Sequence, residues 1–230
     1  MVLNIFNEWM VFSSSLLLIW IVIFIFRKKV RKEMFYVSLF TMPFGLTEPL
    51  FVPEYWNPPS LFNLAATTGF DIESLIFSFA IGGIGSVIYD AIFKARHKKM
   101  PKAEIKRHRF HLLALFSPII IFLILYSLTE LNPIYSASIV MFVGGVAAVF
   151  CRPDLLKKTF IGGLLFLALY FLFFLSFNLI YPYAIESFWN LKAISGILLL
   201  GVPLEELIFA FTFGMMWSGV YEHVMHYKLN

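Results

Sequence analysis

Gly69–Asp90 reads GFDIESLIFSFAIGGIGSVIYD, and Gly201–Glu222 reads GVPLEELIFAFTFGMMWSGVYE. At an offset of 132 residues, nine of the 22 aligned positions are identical: Gly69/Gly201, Glu73/Glu205, Leu75/Leu207, Ile76/Ile208, Phe77/Phe209, Phe79/Phe211, Gly82/Gly214, Ser86/Ser218 and Tyr89/Tyr221. Asp90 and Glu222 share charge at a tenth. Apolar identities between two membrane helices arise cheaply, but coincident Glu, Gly and Tyr positions do not. A glutamate inside an apolar helix is costly, so its recurrence in register marks a duplicated element with a retained role.

The surrounding chain is that of an integral membrane protein. Of its 230 residues 60% are hydrophobic, and its mean hydropathy of +0.83 is far above that of a soluble domain. Its apolar runs are long enough to cross a bilayer and too many for a soluble core. Seven spans are predicted, at 8–26, 34–51, 69–93, 110–129, 134–151, 159–181 and 194–222. Pro203 falls inside the last, where it predicts a kink or a break. No cleavable signal peptide is expected, because the first run ends directly in a basic cluster. A single cysteine, Cys151, excludes an internal disulfide and any multi-cysteine metal site, and reads as a small apolar filler at a span end.

Charge sorts by loop. Seventeen of the 18 Lys and Arg follow the first, third, fifth or seventh span, and only Lys192 lies on the other side. The positive-inside rule then predicts a multi-pass protein of the cell membrane, N-terminus outside and C-terminus cytoplasmic. The net charge of +4 is thereby assigned to orientation and anionic lipid, not to nucleic acid. His97, His108 and His111 belong to the basic loop, and His223 and His226 are read as interfacial.

The duplication extends backwards. Trp56-Asn57 matches Trp189-Asn190 one residue out of register, and Arg27–Phe35 resembles Arg152–Phe160. The fold class predicted is therefore all-α: a polytopic membrane protein of seven helices, arranged as two parallel three-helix repeats plus one connecting helix. The divisions are 1–93 for the first repeat, 94–133 for the basic loop and connector, and 134–230 for the second repeat. Parallel repeats about an axis along the membrane normal predict a shared central cavity. The outer loop FVPEYWNPPSLFNLAATT (Phe51–Thr68), with three prolines, Tyr55 and Trp56, reads as a rigid aromatic cap; interface anchoring and substrate contact are both open roles for it.

The strongest chemical signal is Pro203-Leu204-Glu205-Glu206. Proline suits a first helical turn, and carboxylates are stabilised at a helix N-terminus. Two adjacent acids in a poorly solvated place cannot both ionise cheaply, so one is expected to keep its proton and serve as a general acid. The plain alternative is a helix cap at the water boundary. At helical spacing Glu205, Phe209, Thr212 and Met216 form one stripe, and Glu206, Phe213 and Trp217 the next; Glu73, Phe77 and Ile84 repeat the first. An acid followed by aromatic faces suits chemistry that creates a cation. Glu48, in PFGLTEP, is a secondary candidate.

Absences narrow the chemistry. No lysine lies inside a predicted span, so a retinal Schiff base is not expected; nor is there an aspartate-rich pair for Mg²⁺-diphosphate, a GxGxxG after a strand, any strand pattern, or a His-rich di-iron set.

Two three-span units, each with Glu at the head of its third helix and one in a P-x-E-E motif, resemble the membrane lycopene cyclases of carotenoid synthesis. These are the heterodimeric type, made as two short subunits or fused into one chain. The resemblance is sharpest at Gly201–Phe211 and is supported by Arg152–Phe173 and Trp189-Asn190. It implies cofactor-independent cyclisation of the ends of an acyclic C40 polyene to ionone rings, with Glu205 and Glu206 as carried-over acids. The first unit departs from the motif, with Asp71-Ile72-Glu73-Ser74 in place of P-x-E-E. That unit is either catalytically reduced or uses Asp71 and Glu73 differently.

The resulting expectations are a catalytic set of Glu205, Glu206 and Glu73. Phe209, Phe213, Trp217, Phe77, Glu48, Trp56 and Trp189 are the substrate-binding candidates. No metal and no cofactor are expected. The expected partners are a lipid-soluble polyene and membrane lipid, with homo-oligomerisation left open and no nucleic acid. The rival classes are a proton-coupled carrier, which also uses repeats with intramembrane acids, and a non-catalytic assembly subunit.

Overall fold

The computed structural model describes residues 7–95, 97–101, 105 and 111–229. Arg96, Lys102, Lys106, Arg107, His108 and Arg109 of the predicted basic loop lie outside the described residues.

Helices dominate. In chain order they are α1 (Glu8–Phe26), α2 (Arg31–Thr41), α3 (Leu64–Thr68), α4 (Ile72–Phe93), α5 (His111–Leu128), α6 (Pro133–Cys151), α7 (Leu156–Ile180), α8 (Ala184–Phe188), α9 (Leu204–Trp217) and α10 (Val220–Met225). Asn7 caps α1 by accepting from Met10 N at 2.6 Å, and Asn132 caps α6 by accepting from Ile134 N at 3.2 Å. Both capped helices run 19 residues, and each is followed by one 3₁₀ turn, Lys28–Val30 and Pro153–Leu155.

Four stretches are long and apolar enough to cross a membrane: Glu8–Phe26, Ile72–Phe93, Pro133–Cys151 and Pro153–Ile180; Phe116–Leu128 is a shorter apolar helix. The chain is thus a helical membrane protein; among the described residues the second expected span is interrupted, and the last is broken beside Pro203, where the proline predicted a kink or a break. The second expected span breaks at Thr41, because Pro43 and Pro49 divert Met42–Leu50 into 3₁₀ geometry. The seventh expected span loses its first third. Leu200 and Gly201 take φ of 52° and 82°, β2 (Leu198–Leu199) pairs with β3 (Val202–Pro203), and the helix begins only at Leu204. It also parts at Gly219, separating α9 from α10. The expectation of no strand is corrected on a small scale by this pair and by β1 (His97–Lys99), which runs antiparallel to β4 (Tyr227–Leu229).

The chain divides into two compact units, Met1–Ile84 with Phe171–Glu206 and Gly85–Tyr170 with Leu207–Asn230, so each draws on both halves of the sequence. In the first unit α2 and α4 touch through small residues. A Cβ on Gly82 would come within 1.9 Å of Thr41 Oγ1, and one on Gly83 within 2.2 Å of Ser38 Oγ. Thr41 Oγ1 donates to Ser78 O at 2.9 Å and Trp20 Nε1 to Ser38 Oγ at 2.8 Å, which fixes the crossing. Phe12 fills the space beyond, with ring centroids of Phe173, Phe174 and Phe177 at 4.7, 5.2 and 5.0 Å.

The second unit repeats that device between α7 and α9. Gly214, the counterpart of Gly82, would bring a Cβ within 2.7 Å of Phe166 Cβ and 2.9 Å of Gly162 O. Gly162 is closed in turn by Ser218, at 2.5 Å. Without directional hydrophobic force between helices in lipid, such close backbone approach is what dispersion needs.

Candidate active site

Every carboxyl predicted for the site is buried: Glu48 is 6% exposed, Glu73 0%, Glu205 2% and Glu206 5%. All four belong to the first compact unit. Glu205 and Glu206 occupy the first turn of α9, immediately after Pro203. Glu205 Oε1 accepts the Ser195 N–H at 2.9 Å, and Glu73 Oε1 accepts the Leu61 N–H at 2.7 Å. Each glutamate therefore holds the loop that precedes its own helix. Glu73 Oε1 also accepts from Asn7 Nδ2 at 2.9 Å, while Glu73 Oε2 has no hydrogen-bond partner among the described residues.

Glu206 has a different environment. Its Oε1 accepts the Tyr55 hydroxyl at 2.5 Å and the Trp189 indole N–H at 2.8 Å. The two donors arrive on an antiparallel bridge between Trp56 and Trp189, made by Asn57 N to Phe188 O at 2.7 Å and Asn190 N to Tyr55 O at 2.9 Å. Those two bonds are images of each other under the 133-residue correspondence that relates Trp56-Asn57 to Trp189-Asn190. The loops of the two halves thus meet with local two-fold symmetry.

An aromatic path leads away from this pair. Trp189 lies 5.6 Å from Trp56, Trp56 4.4 Å from Trp9, and Trp9 5.3 Å from Phe77. Trp9 and Asn7 escaped the sequence reading, although an Asn before an apolar run is a helix-start signal. Glu48 takes another course. Its Oε2 accepts from Ser74 Oγ at 2.7 Å, and Asp71, which caps α4 through Ser74 N at 2.5 Å, lies within hydrogen-bond reach of its carboxyl. The departure from P-x-E-E in the first half is therefore a distinct arrangement, a Glu48–Asp71–Ser74 cluster.

The remaining candidates lie in the second unit and continue down α9. Phe209 and Phe213 are 5.6 Å apart, Phe213 and Trp217 5.9 Å, so the two stripes expected from spacing merge into one ladder. Phe166 flanks it 5.0 Å from Phe213 and Tyr170 6.3 Å from Phe209.

The second unit also corrects two readings. Lys158 is not a loop charge: it sits in the first turn of α7, 0% exposed, one residue ahead of the expected 159–181 and inside the stretch Pro153–Ile180 that is long and apolar enough to cross a membrane. Its Nζ lies 2.5 Å from Asp90 Oδ2 and also binds Glu222 Oε1, the charge-matched pair of the duplicated helix. His97, expected in a solvated loop, joins the same carboxylates at 3.3 and 2.8 Å. His223, read as interfacial, is buried in the protein at 1% exposure. Nearby Arg152 is also buried, paired with Asp154 at 2.7 Å and donating to the carbonyls of Glu222 and Tyr227 at 3.3 and 2.7 Å. Position along the chain, not composition, misled: a charge one turn past a span boundary reads as solvated until its acidic partners are known.

Comparison with known families decides the matter. The family model described as lycopene cyclase matches residues 7–92 and 132–224, both halves of the duplication and most of the chain. The chain belongs to the lycopene cyclase family. The matched segments contain α1 to α3 and α6 to α9, with α4 and α10 up to their last residue, and every candidate residue of the site. Comparison with curated proteins and with solved structures gave no match. As a lycopene cyclase family member the protein is a membrane enzyme of carotenoid biosynthesis, acting in carotenoid cyclisation.

Proposed function

We propose that this cyclase closes the ends of lycopene to ionone rings by a cofactor-independent, acid-initiated isomerisation inside the bilayer. The observation that carries the reading is the buried Glu205–Glu206 pair at the head of α9, in a helix whose next turns present Phe209, Phe213 and Trp217. Protonation of a terminal trisubstituted alkene gives a tertiary carbocation. An internal alkene attacks it to form the ring bond, and loss of a neighbouring proton fixes the ring double bond. One proton enters and one leaves, with no change of oxidation level. The pair supplies acid and base, and aromatic faces stabilise the cation without trapping it as a nucleophile would.

Seven membrane crossings in two parallel three-helix repeats, N-terminus outside and C-terminus cytoplasmic in the cell membrane, complete the proposal. The charge asymmetry supports it, as do the matched caps Asn7 and Asn132 and the two-fold Trp56–Trp189 bridge. The partners are then a lipid-soluble polyene and lipid. The test is expression in a lycopene-accumulating host, with pigments separated by chromatography beside the amount of membrane-inserted protein. Glu205→Gln and Glu206→Gln are each expected to cut ring formation by on the order of 10²–10⁴, the usual cost of losing a general acid or base. Full activity in the double variant overturns the mechanism, and a wild-type protein that leaves lycopene untouched overturns the substrate.

A further inference from the structure

Tyr55 stands on the loop of the first half, yet its hydroxyl serves an acid of the second. Under the 133-residue correspondence of the loops its counterpart is Phe188, which has no hydroxyl. Under the 132-residue correspondence of the helices the counterpart of Glu206 is Ser74, which has no carboxyl. The hydroxyl and the acid are thus present together on one side of the two-fold bridge and missing together on the other. A tyrosine needed only to tie the loops would not follow the acid, because the loops are already joined by both backbone bonds of the bridge.

The geometry also fixes which way the proton faces. An indole N–H can only donate, so Glu206 Oε1 is an acceptor of the Trp189 proton. Trp189 Nε1 also lies 3.2 Å from the Tyr55 oxygen, which accepts from it and so directs its own proton to Glu206. The Tyr55 hydroxyl reaches Glu206 Oε1 at 2.5 Å, the short end of the O–H···O range. Two donors thus converge on one buried oxygen of Glu206. Glu205 Oε1, by contrast, accepts the backbone N–H of Ser195.

We propose that Tyr55 is a positioning residue that holds Glu206 as the proton acceptor of the cyclisation, leaving Glu205 as the acid. This rests on the acid–base reading above and divides its roles. Glu205 gives its proton to the terminal alkene, and the π pair of the internal alkene forms the ring bond, moving the positive charge to a ring carbon. Glu206 then removes a proton next to that carbon, and the released C–H pair becomes the ring double bond. Transfer of that proton from Glu206 back to Glu205 restores the starting forms. Three kinds of neighbouring proton are available: on the ring carbon bearing the chain, on the ring methylene and on the methyl group. The placement of the base therefore selects the ring isomer, and Tyr55 helps to set that placement.

The test is Tyr55→Phe in the full chain, assayed in proteoliposomes with lycopene across a range of pH. Removing one hydrogen bond to a charged group is expected to slow conversion by about tenfold to a hundredfold. The acidic limb of the pH–rate profile moves to higher pH, because a carboxylate with one donor fewer gains its proton more readily. The ratio of ring double-bond isomers changes as well. In a Glu206→Gln background Tyr55→Phe adds no further loss, while Phe188→Tyr in the wild-type chain leaves rate and profile unchanged. If Tyr55→Phe does not accumulate in the membrane, Trp189→Phe removes the other donor to the same oxygen and is expected to move the same limb the same way. A wild-type rate, profile and isomer ratio in Tyr55→Phe, with Glu206→Gln inactive, overturns the role of Tyr55 alone. Wild-type activity in Glu206→Gln overturns the acid–base reading beneath it.

Discussion

Glu73 and Glu205 occupy one position of a duplicated helix, and each accepts a backbone N–H from the loop ahead of it. That shared task is structural, so the two are separated by their neighbours. Glu205 is followed by Glu206 in a P-x-E-E turn, whereas Glu73 is followed by Ser74, whose hydroxyl is given to Glu48. Glu73→Gln is therefore expected to reduce ring formation less than Glu205→Gln, measured as cyclised pigment per membrane-inserted protein; an equal or larger loss would make Glu73 an initiating acid in its own right. A second expectation concerns the ion cluster of the second unit. Lys158→Met leaves Asp90 and Glu222 buried without their ammonium, and breaking such a cluster costs about 3–5 kcal/mol. The triple change Lys158→Met, Asp90→Asn, Glu222→Gln removes the charges together and is expected to recover much of that loss. Thermal unfolding in detergent reads both, and a triple variant no more stable than Lys158→Met would show that the carboxylates have another task.

At the level of helices, what could be read in the sequence depended on whether local chemistry set the boundaries. The expected 8–26 is the observed α1, because Asn7 caps it and the basic cluster from Arg27 ends it. Proline and glycine displaced the second and the seventh, while the expected 69–93, 110–129, 134–151 and 159–181 fall within three residues of α4, α5, α6 and α7 at each end. Hydropathy runs on through Pro43 and Pro49, but the backbone cannot; at Pro203 the expected break extends back through Leu200 and Gly201. The catalytic candidates were legible because the duplication flagged them. Tyr55, Trp9 and Lys158 were not, since their roles come from residues up to 151 positions away. The close crossings through Gly82 and Gly214 were visible only as identities. Gly214→Val would force side-chain atoms into Phe166 and the Gly162 carbonyl, and overpacking of this kind costs typically 1–3 kcal/mol. A lowered unfolding temperature with unchanged specific activity is expected. Lower on the same helix, Phe213→Leu and Trp217→Leu should slow conversion without stopping it, because they weaken cation stabilisation and leave the proton donor in place.

For the molecule as a whole, the open question is how the duplicated chain is threaded through the bilayer, and the loop charges make a definite prediction. An odd number of crossings in each repeat, joined by one further crossing, gives both repeats the same orientation. That is also the arrangement that gathers 17 of 18 basic residues on one side. Translocating such loops against the positive-inside bias is disfavoured, so the clusters after Phe26 and after Phe93 are expected to stay in the cytoplasm. Arg152 and Lys158 are buried and paired and say less about orientation than their loop position suggests. Removing them from the count still leaves Lys192 as the sole basic residue on the outer side. Glu54 and Lys99 are exposed positions on loops of opposite expected side. In a chain whose one cysteine, Cys151, is replaced by alanine, Glu54→Cys should react in intact cells with a membrane-impermeant maleimide, and Lys99→Cys only after permeabilisation. Both reacting from the same side would remove the parallel-repeat arrangement.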